Sequence, residues 1–489
     1  AFIWVITLFC GIDVQGMYTT VWGLVSSLNK IGRFGMHRGV VRYVVEARTA
    51  GDRIGEERAL GTAMVIATMA SLLVAGATMA WADWIDALIS STRMVPLDQS
   101  TARAIRIMAP SAPFMALTWI FVCATRALRI MRYDVYVISI AGPLMLLFGG
   151  VVIGLLGWGL EAIAWVQLLM AVGSCLLARY YFGHFFSLAG SLRSLRHGLT
   201  WRPMSRFCVP VMLADLLYSL LTQIDVLMLP FFVSWNQVGL YAIARRIASS
   251  MLKAGQAFDP MFSSIVSELS FRQRHDDLSY RFVVISRWIL TINLPLLACL
   301  LILGDQILTL SVGEKFMKLS PEEIEGGFHI LYMLCAGMMI QGIFAIGQPL
   351  LTMAGRPHVN TFNNLIWLAA NVGLNLLLIP TYGFVGAAAG AVIAMLLANG
   401  IRMAQVYVYH RIQPFQRTQL KPLIAAASAA LICWGAQEQL AAADGLVSLL
   451  RGTVISCLIF LASYFVVLRL QGFEAEDRAV FAMLQCRIG

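Results

Sequence analysis

The feature that most constrains this chain is a succession of long apolar runs separated by short polar breaks. A membrane-spanning helix needs about 20 consecutive, mostly apolar residues, and such runs follow one another along almost the whole sequence. Hydrophobic residues make up 59% of the chain and charged residues only 13%, whereas soluble domains have about 45–50% and about 25%. The excess apolar surface must face lipid, so the sequence predicts an all-α polytopic membrane protein and excludes a soluble fold.

The apolar runs predict about fourteen transmembrane helices. The first run, Ala1–Cys10, is shorter than a full span, and we interpret it as the end of a helix that begins before the printed sequence. The predicted spans are 1–10, 17–45, 60–82, 104–126, 134–156, 160–182, 206–233, 238–268, 282–312, 327–353, 359–380, 384–409, 420–438 and 447–469.

The polar breaks alternate in charge along the chain. Arginine-rich breaks such as Arg48–Arg58, Arg126–Arg132 and Arg193–Arg206 alternate with neutral or acidic breaks such as Gly11–Gly16 and Trp158–Glu161. Cytoplasmic loops of membrane proteins carry the excess of Lys and Arg. We therefore expect a multi-pass membrane protein with both termini in the cytoplasm. This asymmetry accounts for the net charge of +10 without a nucleic-acid partner.

An internal repeat relates the two halves of the chain. The segment Gly16–Gly32 aligns without gaps on Gly239–Gly255 with six identities in seventeen positions. The two segments lie in the second and eighth predicted helices, and an even number of helices separates them, so the copies share one orientation. We predict two six-helix lobes in a parallel repeat, residues 1–205 and 206–415, followed by a C-terminal helix pair and cytoplasmic tail in residues 416–489.

Six cations lie inside predicted helices rather than in loops or near helix ends. Lys30 is fourteen residues past Gly16, which places it about 20 Å from the outer end of its helix, and Lys253 is equivalent to it in the repeat. A cation at that depth costs a few kcal/mol unless it faces water, a counter-charge or a ligand. We predict a substrate-binding site made of these cations and the polar residues on the same helix faces: Lys30, Arg33, Arg38, Arg245, Arg246, Ser249, Ser250, Lys253 and Gln256.

A second interpretation of these cations is that they are permanently paired with buried carboxylates. The candidate acids are Asp215, Asp225, Asp259 and Glu161. Asp225 lies deep in the seventh predicted helix, where it is either a site for a coupling proton or sodium ion or a partner for Lys253 or Arg246. No metal site or cofactor is predicted, because the nine cysteines are scattered singly without CxxC or CxxH spacing.

Two stretches of the sequence carry a family resemblance. Phe207–Lys253 has an early proline (Pro210), a deep Asp225 and the run Val238–Ala242, and Asn371–Ala388 contains the patterns N-x-x-L-N, I-P-x-x-G and G-A-A. These residues resemble the polysaccharide transporter and Wzx-type oligosaccharide flippase family over about residues 1–410. The wider superfamily includes the peptidoglycan lipid flippases and the multidrug and toxin extruders.

The resemblance implies two six-helix lobes around a V-shaped cavity, with a groove for a polyprenyl tail at the extra helix pair. It also implies cavity-lining cations on the second and eighth helices, which fits the positions of Lys30, Arg33, Arg246 and Lys253. The implied partners are a lipid-linked glycan, membrane lipids, and the glycan polymerase and glycosyltransferases of the same pathway.

Together these observations predict a non-enzymatic flippase that moves an anionic polyprenyl-diphosphate-linked oligosaccharide, or a related polysaccharide precursor, to the outer leaflet by alternating access. The main alternative is an ion-coupled multidrug antiporter, which would favour an acidic or aromatic cavity. A membrane-bound glycan polymerase or ligase would need a large external loop with His, Arg or carboxylate chemistry. A purely structural scaffold would leave the buried cations without a purpose.

Overall fold

The structure is a computed structural model that describes residues 2–91, 100–198, 201–271, 275–313, 319–344, 346–353, 357–412, 419–440 and 446–472. Within these ranges the chain forms helices and turns and no β-strand, so the predicted all-α membrane fold class is confirmed. Eight helical segments of this part are long and apolar enough to cross a membrane. The total of fourteen spans stays a prediction.

The helices follow one another with short connections. In chain order they are α1 (Phe2–Phe9), α2 (Ile12–Gly32), α3 (Met36–Thr49), α4 (Arg53–Ala80), α5 (Ala82–Ser91), α6 (Ser100–Met108), α7 (Ser111–Ala127), α8 (Arg132–Asp134), α9 (Gly142–Leu156), α10 (Leu160–Gly183), α11 (Leu188–Arg193), α12 (Trp201–Met228), α13 (Trp235–Ala248), α14 (Met251–Phe271), α15 (His275–Val312), α16 (Pro321–Phe344), α17 (Gly347–Met353), α18 (Pro357–His410), α19 (Leu420–Leu440) and α20 (Leu446–Leu470). A π-helical segment, Val135–Ala141, joins α8 to α9.

The chain divides into two compact units, Ala1–Ala242 and Ile243–Gly489. The first unit has one apolar core among α3, α4, α7 and α10 and another among α1, α2, α6 and α10. The second unit has one core among α14, α15, α17 and α18 and another where α19 and α20 pack on α15 and α16. The predicted lobe boundary at residue 205 rests on the repeat and stays a prediction.

Two of the helices that the sequence predicts as continuous are interrupted at residues of the predicted site. The predicted span 17–45 is broken after Gly32, and α3 begins at Met36. The predicted span 238–268 is broken at Ser249 and Ser250, between α13 and α14. Neither break contains a proline, the residue that most reliably marks such interruptions. Predicted spans 359–380 and 384–409 are both helical within α18 and are separated by a kink at Gly383, whose φ of 58° and ψ of −140° are not helical.

In the first unit, α2 and the first part of α13 cross backbone to backbone. A Cβ atom added at Gly16 would lie closer than 3.0 Å to the carbonyl oxygen of Trp235, and one added at Gly239 would lie equally close to that of Ile12. These residues are equivalent in pairs in the repeat, Gly16 to Gly239 and Ile12 to Trp235. The contact is therefore reciprocal, as expected where a two-fold axis relates two copies.

In the second unit, α20 supplies a hydrogen bond that α15 lacks. Pro295 lies inside α15 and has no N–H, so the carbonyl of Thr291, four residues earlier, loses its helical partner. The Tyr464 hydroxyl, on a fully buried side chain of α20, donates to that carbonyl at 2.9 Å. The C-terminal helix pair thus satisfies the backbone at the proline of α15.

This arrangement predicts a specific coupling between two substitutions. Tyr464→Phe leaves the Thr291 carbonyl buried without a donor, so we expect it to lower the free energy of unfolding by about 1–3 kcal/mol. Pro295→Ala restores the helical N–H, so in that background Tyr464→Phe should have little effect. Thermal unfolding of the purified protein in detergent for the wild type, both single variants and the double variant measures the interaction energy. An equal cost of Tyr464→Phe in both backgrounds would rule out this role for the hydroxyl.

Candidate functional site

The break between α2 and α3 shapes the first part of the candidate site. Phe34 and Gly35 have φ angles of 51° and 66°, in the left-handed region that glycine adopts at no steric cost. Gly35 also lies against α12, because an added Cβ atom would come closer than 3.0 Å to the carbonyl oxygen of Cys208. The chain therefore turns at Arg33 while its backbone stays in close contact with α12.

Five basic side chains gather around this break. We call Lys30, Arg33, His37, Arg38 and Arg126 the basic cluster. Arg33 is only 7% exposed, and its guanidinium carbon lies 5.0 Å from the ring centroid of Trp119 on α7. The Arg126 guanidinium carbon lies 5.5 Å from the centroid of the same ring, so both guanidinium groups are within cation–π distance of one indole.

Two acids lie against the basic cluster. Asp215 on α12 accepts from Nη2 of Arg38 at 3.1 Å and lies 3.3 Å from Nε2 of His37. Asp134 on α8 accepts from Nη2 of Arg126 at 2.6 Å. The pairing interpretation is therefore correct for Arg38 and Asp215.

Lys30 and Arg33 are not paired in this way. Lys30 is half-buried and Arg33 is buried, yet neither forms an ion pair with any residue that the structure describes. The cluster holds four cations, Lys30, Arg33, Arg38 and Arg126, against the two carboxylates Asp215 and Asp134, so its net charge is positive. A net positive charge in a largely desolvated place is stabilised when an anion binds there.

Polar contacts fix the position of α12 beside α2 and α3. The Gln223 side chain donates to Ser26 Oγ at 3.1 Å, and the hydroxyls of Ser27 and Ser219 are 3.1 Å apart. Farther along, the Tyr43 hydroxyl donates to the backbone carbonyl of Pro203 at 2.9 Å. These pairs run antiparallel along the two elements and place Asp215 opposite the break.

The second group of predicted site residues lies at the break between α13 and α14. Arg245 is half-buried, whereas Arg246, Lys253 and Gln256 are exposed, and Lys253 donates to Gln256 Oε1 at 3.3 Å. Within the described ranges, none of the three cations has an ion-pair partner. This group belongs mainly to the second unit, and its role in binding stays a prediction.

The two serines at this break bond to their own helix. The Ser249 hydroxyl donates to the Arg246 carbonyl and the Ser250 hydroxyl to the Ile247 carbonyl, each at 2.7 Å. Serine hydroxyls compete with the helical hydrogen-bond ladder in this way, which accounts for an interruption without proline. Their donor protons are therefore already used, although each oxygen keeps acceptor capacity.

The remaining candidate acids differ in their surroundings. Glu161 pairs with Arg103 at 3.0 Å, so it is not a partner of the predicted site cations. Asp259 forms no ion pair with the residues that the structure describes. Asp225 is only 3% exposed near the end of α12, and its role in ion coupling stays a prediction. No group of His, Cys, Asp or Glu side chains in the described part of the chain is arranged to hold a metal ion.

Sequence reasoning missed three side chains that matter here. Arg126 was assigned to a cytoplasmic break, and Trp119 carries no signal of its own in an apolar run. Arg402 is 97% buried in α18, where it donates to Asn399 Oδ1 at 2.9 Å and to Asn364 Oδ1 at 3.5 Å. Asn360, Asn363 and Asn364 follow one another closely in the eleventh predicted helix, and these polar side chains in an apolar run could have indicated that a charged partner faces them.

The comparisons with known proteins agree with this picture. The family model described as "Polysaccharide biosynthesis protein" matches residues 15–321, more than half of the chain. No curated protein sequence matches the chain significantly.

Several solved structures share the fold. The lipid II flippase MurJ in an inward closed conformation is 14% identical, with a TM-score of 0.73 over 96% of this chain and 95% of that one. An inward-facing multidrug resistance MATE family transporter of the MOP superfamily is 15% identical, with a TM-score of 0.72 over 84% and 93% of the two chains. A MATE structure in a bent conformation is 15% identical, with a TM-score of 0.52 over 86% and 95%. The chain therefore belongs to the polysaccharide biosynthesis protein family, and it is a multi-pass helical membrane protein with the fold of the MurJ and MATE structures.

Proposed function

We propose that this protein is a flippase that translocates an anionic polyprenyl-diphosphate-linked oligosaccharide, or a related polysaccharide precursor, from the cytoplasmic to the outer leaflet by alternating access. The observation that carries the proposal is the basic cluster, in which four cations outnumber two carboxylates and Lys30 and Arg33 form no ion pair with the described residues. The family match to polysaccharide biosynthesis proteins supports the class of substrate, and the MurJ-like fold supports the type of activity.

The chemistry of the cluster suits a diphosphate headgroup. A lone cation at the centre of a membrane helix costs about 2.5–3.5 kcal/mol on insertion scales, a cost that an anionic ligand offsets. A guanidinium such as that of Arg33 presents parallel donors to phosphate oxygens, while the ammonium of Lys30 acts as a point charge. The Trp119 ring beside Arg33 offers an aromatic face, and Lys253, Arg245, Arg246, Ser249, Ser250 and Gln256 form the second group of substrate contacts in this proposal.

The membrane potential favours the proposed direction. An inside-negative potential contributes about 2.3 kcal/mol per charge per 100 mV to the outward movement of an anion. Coupling to a proton or sodium ion through Asp225 is therefore an additional device in this scheme and not a requirement. The proposal places the protein in the bacterial cytoplasmic membrane with both termini inside, working with the glycosyltransferases and the polymerase that make and consume its substrate.

A multidrug antiporter is the less supported alternative, although the MATE structures share the fold. Cationic drugs need an acidic or aromatic cavity, whereas the basic cluster has more cations than acids. The family match is to polysaccharide biosynthesis proteins. We likewise propose a transporter rather than an enzyme, because the basic cluster offers charge and donors for binding.

The test is a translocation assay with the full chain in proteoliposomes and a fluorescent polyprenyl-diphosphate oligosaccharide. Replacing Lys30 and Arg33 together with alanine is expected to lower the translocation rate at least about tenfold, which corresponds to ~1.4 kcal/mol of lost stabilisation. The double variant Lys30→Ala/Lys253→Ala tests whether the second group acts on the same substrate. It should lower the translocation rate further than Lys30→Ala alone.

The control is Arg48→Ala, which removes an exposed arginine at the end of α3 that is paired with Glu56. Arg48→Ala removes one positive charge, as each of the two site substitutions does. It should leave the translocation rate within about twofold of the wild type, since exposed ion pairs contribute little to stability. Unchanged transport by the Lys30/Arg33 variant, with normal membrane insertion, would refute the proposed binding site.

A further inference from the structure

A cavity of about 470 Å³ lies in the first unit between α4, α7, α10 and α11. Its walls are apolar side chains such as Leu117 and Phe121 of α7 and Val172 of α10. Met69 and Leu176, two more of its lining residues, are 62% and 61% exposed. Large apolar side chains exposed on membrane helices face lipid, so the cavity is a groove open to the bilayer.

One end of this groove is closed by α11. The short helix begins at a serine cap, where Ser187 Oγ accepts from the Gly190 N–H at 3.0 Å. Its backbone lies directly on α4, because a Cβ atom added at Gly61 would come closer than 3.0 Å to the carbonyl oxygen of Ser191. Leu192 of the same helix lines the groove. The groove therefore has a defined end rather than running out along the helices.

Among the described residues, a single cation, Arg179, lines the groove. Arg179 is exposed and forms no ion pair within the described part of the chain, and no other charged side chain lines the cavity. It lies four residues before the end of α10 at Gly183, about 6 Å along the helix axis. Arg193 and Arg196 follow in the chain and are also exposed. The groove lining thus includes an arginine close to the end of α10, where the arginine-rich break Arg193–Arg206 follows in the sequence.

From this geometry we propose that the groove binds an anionic glycerophospholipid of the surrounding bilayer, with an acyl chain among Leu117, Val172 and Leu176 and the phosphate on Arg179. Basic pockets between transmembrane helices on the cytoplasmic side are the places where anionic headgroups bind. The volume lies within the range of small-molecule sites.

The groove is separate from the basic cluster. Leu117 and Phe121 share one face of α7, and Trp119, between them in sequence, points to the other face because a helix has 3.6 residues per turn. Trp119 contacts Arg33 and Arg126, none of which lines the groove. The lipid site therefore does not rest on the proposed transport function, and its ligand is a bilayer lipid rather than the transported glycan.

The experiment is native mass spectrometry of the delipidated full chain mixed with equal amounts of dioleoyl phosphatidylglycerol and dioleoyl phosphatidylcholine. The wild type is expected to retain phosphatidylglycerol about fivefold over phosphatidylcholine, the factor that corresponds to ~1 kcal/mol for one cation near the membrane surface. Arg179→Ala should abolish the preference while leaving chain binding, because it removes only the phosphate contact. Val172→Phe fills the groove without changing charge and should lower the retention of both lipids.

Arg48→Ala serves as the matched control, since it removes one exposed arginine outside the groove lining. It should keep the fivefold preference. A preference that survives in Arg179→Ala, or that falls equally in Arg48→Ala, would show that the lipid follows the overall charge of the protein and would overturn the proposal. Unchanged retention by Val172→Phe would overturn the groove as the place of the acyl chain.

Discussion

Alanine in place of Gly239 is expected to destabilise the crossing of α2 and α13 by about 3 kcal/mol, the upper part of the range for overpacking. The added methyl group would lie closer than 3.0 Å to the carbonyl oxygen of Ile12. A backbone oxygen cannot move aside by changing rotamer, so the two helices must separate. Thermal unfolding in detergent should show a lower midpoint, and a cysteine introduced at Ile12, which is 4% exposed, should become reactive to a soluble maleimide.

Gly76→Ala provides the control for this prediction. Gly76 also lies inside a helix, α4, but a Cβ atom added there meets nothing within 4 Å. Alanine at an open helical position should be neutral or stabilise the helix by up to about 1 kcal/mol. Equal midpoints for Gly239→Ala and Gly76→Ala, with Ile12 still protected from labelling, would contradict the close crossing.

The crossing of α2 and α13 gives a structural explanation for part of the sequence repeat. Six identities in a seventeen-residue alignment do not by themselves place the two copies together. In the structure, Gly16 meets Trp235 and Gly239 meets Ile12, so two equivalent glycines each let the partner's backbone approach. The same close contact, made once by each copy of the repeat, thus explains why both positions are glycine.

The helical membrane fold was predictable because lipid imposes a simple rule. Every backbone group in the hydrocarbon must be satisfied within its own segment, so long apolar runs specify helices with little dependence on distant residues. The alternation of charge between the breaks likewise predicts, from local sequence alone, which loops are cytoplasmic. These signals are local and repeated, which is why the spans from Arg53 to Gly183 were predicted as helices and lie in helices α4 to α10.

The breaks were not predictable from the same signals. In the sequence, Gly32 and Gly35 look like ordinary members of a membrane helix, where glycine is frequent. Only the structure shows that Gly35 has a left-handed φ and lies against the Cys208 carbonyl. At Ser249 and Ser250 nothing in the sequence indicated that the hydroxyls bond to their own helix, and the role of these serines in binding stays a prediction.

The composition of the basic cluster depended on packing between distant segments. Lys30, Arg33 and Arg38 were singled out because they lie within one predicted span, although the structure breaks that span after Gly32. Arg126 joins them only because α7 brings Trp119 and its own last turn against the break. Asp215 could be named as a possible partner but not assigned, since 177 positions separate it from Arg38. The position of a cation within an apolar run can be read from the sequence, whereas the side chain that pairs with it cannot.

Alanine at Gly35 is the second substitution with a large expected effect, about 3 kcal/mol. Its φ of 66° costs a non-glycine residue roughly 1–2 kcal/mol, and its Cβ atom would press on the Cys208 carbonyl of α12, which adds an overpacking cost of about 1–3 kcal/mol. Moving α3 away from α12 would separate His37 and Arg38 from Asp215. We therefore expect both a lower unfolding midpoint and a loss of translocation.

Gly51→Ala separates these two costs. Gly51 has nearly the same φ, 71°, but a Cβ atom added there meets nothing within 4 Å, so its alanine variant carries the backbone strain alone. It should lower the unfolding free energy by about 1 kcal/mol and leave translocation within about twofold of the wild type. If Gly35→Ala and Gly51→Ala shift the midpoint equally, the contact with α12 contributes nothing. If Gly35→Ala is destabilised more but transports normally, the position of α3 against Asp215 is not required for the basic cluster to work.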